Sequence, residues 1–252
     1  MSSMTIALLV FACVFGAAMF GMFIGNVLPA HHLSPESKDV VKLGSALIAT
    51  MSALVLSLLI SSAKSSFDKM NDELVQNAAR ALSLDRALAD YGPETREIRD
   101  LLKRAYAARF AMLFPGDTSQ TGTLAPEQLV QTESIRAKLW DLAPQNDTQR
   151  GLRSQAVEIA GEMSSTAWLL IVQKEESIPT VLIFVLTSWL AIIFATFGLF
   201  APRNAMVIAA LFVCALSVSG AILLILEMNS PFSGFVRISS APMRDALARL
   251  GQ

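Results

Sequence analysis

Few side chains in this sequence are of the kinds that do chemistry. The two histidines, His31 and His32, are adjacent, and the two cysteines, Cys13 and Cys214, lie far apart inside apolar runs. Adjacent residues point in different directions, so one copy of the chain cannot easily bring both histidines to one metal ion. Their plainer role is a polar loop tip; the sharper one is a pH-sensing ring in an oligomer, since imidazole titrates near neutrality. Thiols in apolar surroundings usually pack as small hydrophobes, and neither has metal-ligand spacing around it. No Gly-rich phosphate loop, GxSxG elbow, CxxC or HExxH occurs. Any acid–base work would fall to carboxylates interleaved with basic residues, as in Glu94, Arg96, Glu97, Arg99, Asp100, Lys103 and Arg104. That interleaving is the pattern of solvated helix faces. No enzymatic activity, cofactor or metal is expected.

The remaining polar groups stand in or beside apolar runs. Ser45, Ala49, Ala53, Ser57 and Ser61 recur at every fourth position, with Thr50 on the flank. The row is read as a single helix face, small and partly hydroxylated, which lets helix backbones approach closely. It would equally suit the wall of a narrow conduction path, and both readings need the same residue types. Ala17, Gly21 and Gly25, and likewise Thr187, Ala191 and Ala195, form rows whose expected job is close packing. Lys64 and Glu227 sit at run ends on the same side, and Arg203 sits on the other. A carboxylate at a helix C-terminus is opposed by the helix dipole. Glu227 should therefore face water or find a partner, and Lys64, Lys174 and Arg237 are the candidates for a structural ion pair. A role in permeation or gating is the alternative. Arg203 reads as an interfacial anchor that snorkels its charge to water.

The elements that must hold these groups follow from where charge is missing. Of the 252 residues 53% are hydrophobic and only 16% charged, against about 25% charged in soluble domains. The 20 Lys+Arg nearly balance the 21 Asp+Glu, which argues against nucleic acid as a partner. No charged residue occurs before Glu36, from Leu43 to Ala63, from Ser177 to Pro202, or from Asn204 to Leu226. A helix needs about 20 apolar residues to cross a bilayer. The reading is therefore an all-α protein with four transmembrane helices over 6–28, 40–62, 177–200 and 205–228. Met1–Thr5 has no basic residue and the first run is too long for a signal core, so it is read as a retained span.

The domains expected are a transmembrane hairpin at 1–62, a helical domain at 63–176, a second hairpin at 177–228 and a tail at 229–252. The insert holds 14 of the 20 basic and 17 of the 21 acidic residues. The second span is expected to run on into it, because Phe67, Met70, Leu74, Ala78, Ala81, Asp85 and Leu88 keep helical spacing with one polar lapse at Asp85. Tyr91-Gly92-Pro93 should break that helix. Further helices are expected up to Phe114, from Pro126 to Leu142, and onward from a cap at Asp147. In the tail, Met243, Leu247 and Leu250 mark an amphipathic helix that would lie on the membrane or on a neighbouring subunit. Basic residues near the membrane (Lys64, Lys69, Lys174, Arg237 and Arg244 against Lys38, Lys42 and Arg203) place both termini and the insert in the cytoplasm.

Ser34-Pro35-Glu36-Ser37-Lys38-Asp39-Val40-Val41-Lys42-Leu43-Gly44 and Tyr91-Gly92-Pro93-Glu94-Thr95 resemble segments of a bacterial family, the bestrophin-like domain proteins. The fuller likeness runs from Phe197-Gly198-Leu199-Phe200-Ala201-Pro202-Arg203-Asn204 through Glu227, then Pro231-Phe232-Ser233-Gly234 and Ile238-Ser239-Ser240-Ala241-Pro242. The family's name points to bestrophins, pentameric anion channels with four spans, a helical cytosolic region and a hydrophobic constriction on the second span. The resemblance implies a bacterial inner-membrane homo-oligomer, a pentamer by analogy. Two bestrophin features are missing. After Glu227 the only acidic residue is Asp245, so there is no acidic calcium clasp. No aromatic residue occurs between Val40 and Ser66 to build the constriction.

The leading functional expectation is an ion channel, anion-selective if Lys64 dominates the cytoplasmic mouth, with Ser45, Ala49, Thr50, Ala53, Ser57 and Ser61 as candidate pore lining. The rival is a non-conducting scaffold or assembly protein whose cytoplasmic helices bind a protein partner. A transporter would need broken helices or a polar site at mid-membrane, and neither is legible.

Overall fold

The computed structural model describes residues 2–27, 35–116, 131–173, 180–232 and 234–252. Among these residues there is no strand, and the chain is all-α. The helices are α1 (Ser3–Val27), α2 (Pro35–Tyr91), α3 (Arg96–Leu113), α4 (Gln131–Asp141), α5 (Asp147–Gln173), α6 (Thr180–Phe200), α7 (Ala205–Met228) and α8 (Ala241–Arg249). Four of them, α1, α2, α6 and α7, are long and apolar enough to cross a membrane. The chain is thus a multi-pass membrane protein.

The chain divides into two compact units. The first comprises Met1–Phe67 and Ser177–Arg237; the second comprises Asp68–Glu176 and Ile238–Gln252. The tail helix α8 belongs to the second unit.

In the first unit α1 packs against α6 and α7. Val10, Val14, Ala18 and Met22 of α1 form a buried row at every fourth position. They meet Leu186, Leu190 and Phe194 of α6, Leu211, Ala215 and Ile222 of α7, and Leu59 and Ala63 of α2. Lipid is as apolar as these side chains, so hydrophobicity alone does not bring the helices together; close van der Waals fit does. Glycine supplies that fit. A Cβ on Gly21 would overlap the Ala195 carbonyl, one on Gly25 would press on Leu199, and one on Gly198 would overlap the Ala18 carbonyl. The small residues of α1 and α6 therefore bring two backbones into direct contact. A buried hydrogen bond adds to the bundle, as Ser219 Oγ donates to the Ala7 carbonyl of α1 at 2.7 Å. Asn204 starts α7 by accepting from the Val207 amide at 2.8 Å, an N-cap of the usual geometry.

In the second unit α2 stops at Gly92, whose φ of 140° suits only glycine. A single 3₁₀ turn, Pro93–Thr95, then redirects the chain. Thr95 is fully buried, and its hydroxyl donates to the carbonyls of Leu88 and Gly92. This knot folds α3 back along α2. The lapse at Asp85 has a physical reason: Arg99 of α3 grips it with Nε at 2.8 Å and Nη2 at 2.9 Å. Arg99 is accordingly not on a solvated face, as the charge run suggested, whereas Glu94, Arg96, Glu97, Asp100, Lys103 and Arg104 are exposed.

α5 is capped by Asn146, not Asp147, since the Asn146 side chain accepts from the Gln149 amide at 2.8 Å. The tail helix docks on its own chain: α8 packs on α3, burying Met243, Ala246 and Leu250. Leu247, expected beside them, is only half-buried. The helix start expected at Pro126 lies outside the described residues.

Candidate functional site

An α-helix turns 100° per residue, so a row at every fourth position drifts by about 40° per step. Between Ser45 and Ser61 that drift adds up to about 160°. The five residues read as one face therefore wind around α2. Ser45 is buried and its hydroxyl donates to the Val41 carbonyl at 2.8 Å. Ala49 is half-buried. Ala53, Ser57 and Ser61 are exposed, as is Thr50, whose hydroxyl donates to the Leu47 carbonyl at 2.8 Å. The single face expected from the spacing is corrected to a spiral with a buried start and an exposed end.

The burial pattern defines two opposite sides of this span. Ser45, Ser52, Leu59 and Ala63 are turned into the protomer. Thr50, Ser57 and Ser61 lie within about 20° of the direction opposite Leu59, and Ala53 and Lys64 flank them. All five are exposed. The outward side of α2 thus has a stripe of small and hydroxylated residues that ends in a cation, bordered by the exposed Leu47, Leu54 and Leu58. A hydroxyl bonded to its own helix costs little in an apolar setting, yet its oxygen keeps a free lone pair for water or an ion.

Glu227, in the last turn of α7, is buried. Its expected ion-pair partners were Lys64, Lys174 and Arg237. The partner found is the backbone amide of Phe235, which donates to Oε2 at 2.6 Å. Gly234 makes that turn possible: its φ is 96°, and a Cβ there would overlap the carboxylate. The amide offsets the unfavourable end of the helix dipole. Pro231-Phe232-Ser233-Gly234 signals a turn in sequence, but not that the turn folds back to bind this carboxylate. Arg237 is exposed, and Lys174 lies outside the described residues.

Arg203, in the turn between α6 and α7, donates from Nη2 to the Met22 carbonyl at 2.8 Å. It is pinned to α1 and does not simply reach for water. His31 and His32 lie outside the described residues. Cys13 and Cys214 are exposed and unpaired by disulfide. Among the described residues no three His, Cys, Asp or Glu side chains gather in metal-ligand fashion.

In the second unit polar contacts join the helices to one another. Lys138 of α4 donates to Glu97 of α3 at 2.8 Å, and this hydrogen bond holds the Glu97 carboxyl below its ordinary pKa. The hydrogen bond to Asp85 raises the Arg99 pKa further. Burial pushes the Tyr106 phenol up and the Arg109 guanidinium down. The hydroxyls of Tyr91 and Tyr106 and the Asn77 amide nitrogen are buried without a hydrogen-bond partner, a feature with no mark in the sequence.

Residues 12–243 match the family model described as Bestrophin-like domain. No curated protein and no solved structure gives a significant match.

Proposed function

The chain belongs to the bestrophin-like domain family, and from that premise we propose that it is a homo-oligomeric ion channel whose α2 lines the conduction path. The observation that carries this reading is the outward stripe Thr50, Ala53, Ser57, Ser61 and Lys64. Only 17% of the most apolar stretch of α2 is covered within the protomer, against 33% for α1 and α6. A span so little covered has surface for other copies and for a shared axis. Small and hydroxylated side chains around such an axis leave room for ions, while Leu47, Leu54 and Leu58 at the borders would seal copy to copy or narrow the path by dewetting. In this reading the membrane is the bacterial inner membrane, and the second unit and both termini lie in the cytoplasm. The protein conducts and does not catalyse.

A ring of Lys64 at the cytoplasmic mouth favours anions. The test is reversal-potential measurement on protein reconstituted in bilayers. Lys64→Glu should move the permeability ratio from anions toward cations. An unchanged ratio in a conducting Lys64→Glu variant removes the role of Lys64, and silent wild-type protein under all conditions removes the channel.

A second reading, a non-conducting scaffold, draws on the exposed apolar side chains Trp140, Met112 and Val75 of the second unit. A stoichiometric protein that co-purifies and is lost on Trp140→Ala would favour it.

A further inference from the structure

At the α6–α7 turn the protein has a groove of about 410 Å³, lined by Met19, Met22 and Phe23 of α1, by Arg203 and Asn204 of the turn, and by Ala205 and Ile208 of α7. We propose that this groove is a binding site for one anionic glycerophospholipid, its phosphate on Arg203 and its acyl chain along Met19, Phe23 and Ile208.

Arg203 lies two residues before the first residue of α7, so its charge sits at the edge of a membrane span. Phospholipid phosphates occupy that level, just outside the hydrocarbon core. Phe23 and Met19 are one turn apart on α1, and Ile208 lies about 5 Å into the span from the start of α7. The groove therefore leads from the headgroup level into the acyl region, and its walls are apolar there.

Arg203 is the only charged residue between Ser177 and Leu226. Among the described residues no carboxylate pairs with it, and the neighbouring segment 28–34 contains none. One guanidinium nitrogen is fixed on the Met22 carbonyl. That bond orients the planar fork, which has five N–H donors in all and so retains donors for phosphate oxygens. Asn204 already satisfies the Val207 amide, so the guanidinium, and not the helix end, is the anion-binding group.

Gly198 lets the α6 backbone press against α1 at Ala18 and Met22. That contact brings the α6–α7 turn close enough for Arg203 to reach α1. The site is thus built by the same close packing that holds the bundle.

The test uses the full-length protein in mild detergent, stripped of lipid and titrated with dioleoyl phosphatidylglycerol under native mass spectrometry. The proposal requires one tightly held lipid per chain. Arg203→Gln should weaken it by about tenfold, the loss of a charge-assisted contact. Ala205→Phe, which keeps the guanidinium but fills the groove, should weaken it as well, and it serves if Arg203→Gln fails to fold. Dioleoyl phosphatidylcholine should bind less tightly, and excess inorganic phosphate should not displace the lipid. Undiminished binding in both variants would overturn the proposal. So would displacement by phosphate alone, which would mark a simple anion site, or equal binding of phosphatidylcholine, which would remove the anionic preference.

Discussion

Asp85 and Arg99 concentrate the polar energetics of the second unit. Their side chains are 8% and 18% exposed, and the pair does more than join α2 to α3. Asp85 Oδ2 also accepts the Gly251 amide at 3.2 Å, and Arg99 Nη2 also donates to the Gln252 carbonyl at 3.0 Å. One ion pair therefore ties two helices and the segment after α8. Removing one partner of a buried pair strands the other charge. Asp85→Ala should cost about 3 kcal/mol and lower the thermal unfolding midpoint followed by circular dichroism. The double replacement Asp85→Leu with Arg99→Leu should cost less than Asp85→Ala alone, because it leaves no stranded charge. Equal loss in both would show that the pair's charge is not what matters. The lapse at Asp85 is visible in sequence as a carboxylate on an apolar stripe. Its partner is not, because seven charged residues crowd Glu94–Arg104 and their order does not say which one turns inward. Glu227 is similar: its need for a partner was legible, but a backbone amide has no signature in residue types.

Among the elements, the α1–α6 crossing is the contact most dependent on sequence detail. Gly21, Gly25 and Gly198 let two backbones touch without side chains between them. Gly198→Val should cost about 2–3 kcal/mol through overpacking, and it should loosen the Arg203 contact with Met22 as well. The check is resistance of the purified variant to detergent-induced unfolding; wild-type resistance would mean that the crossing is not tight. The spans themselves were readable from charge-free windows, since bilayer thickness fixes their length. The break at Tyr91-Gly92-Pro93 was readable too, because a positive φ and a ring-fixed φ demand those residues. Spacing by four marks a spiral on α2 and not a face, because four residues exceed one helical turn. Only the burial of Ser52 and Leu59 reveals which side of the helix faces the protomer. The docking of α8 on α3 needed three dimensions, since an amphipathic face does not name its cover.

For the whole molecule, the proposed channel requires that α2 face other copies of itself around an axis. One protomer covers little of that span, and its outward side has small and hydroxylated residues beside the exposed Leu43 and Leu54. A ring of copies would cover Leu47, Leu54 and Leu58 and leave Thr50, Ser57 and Ser61 toward the axis. The most direct measurement is the native mass of the protein in mild detergent, corrected for bound detergent and lipid. The account predicts a closed ring, about five copies of the 27.2 kDa chain; a monomer or a simple dimer would remove the axis and contradict it.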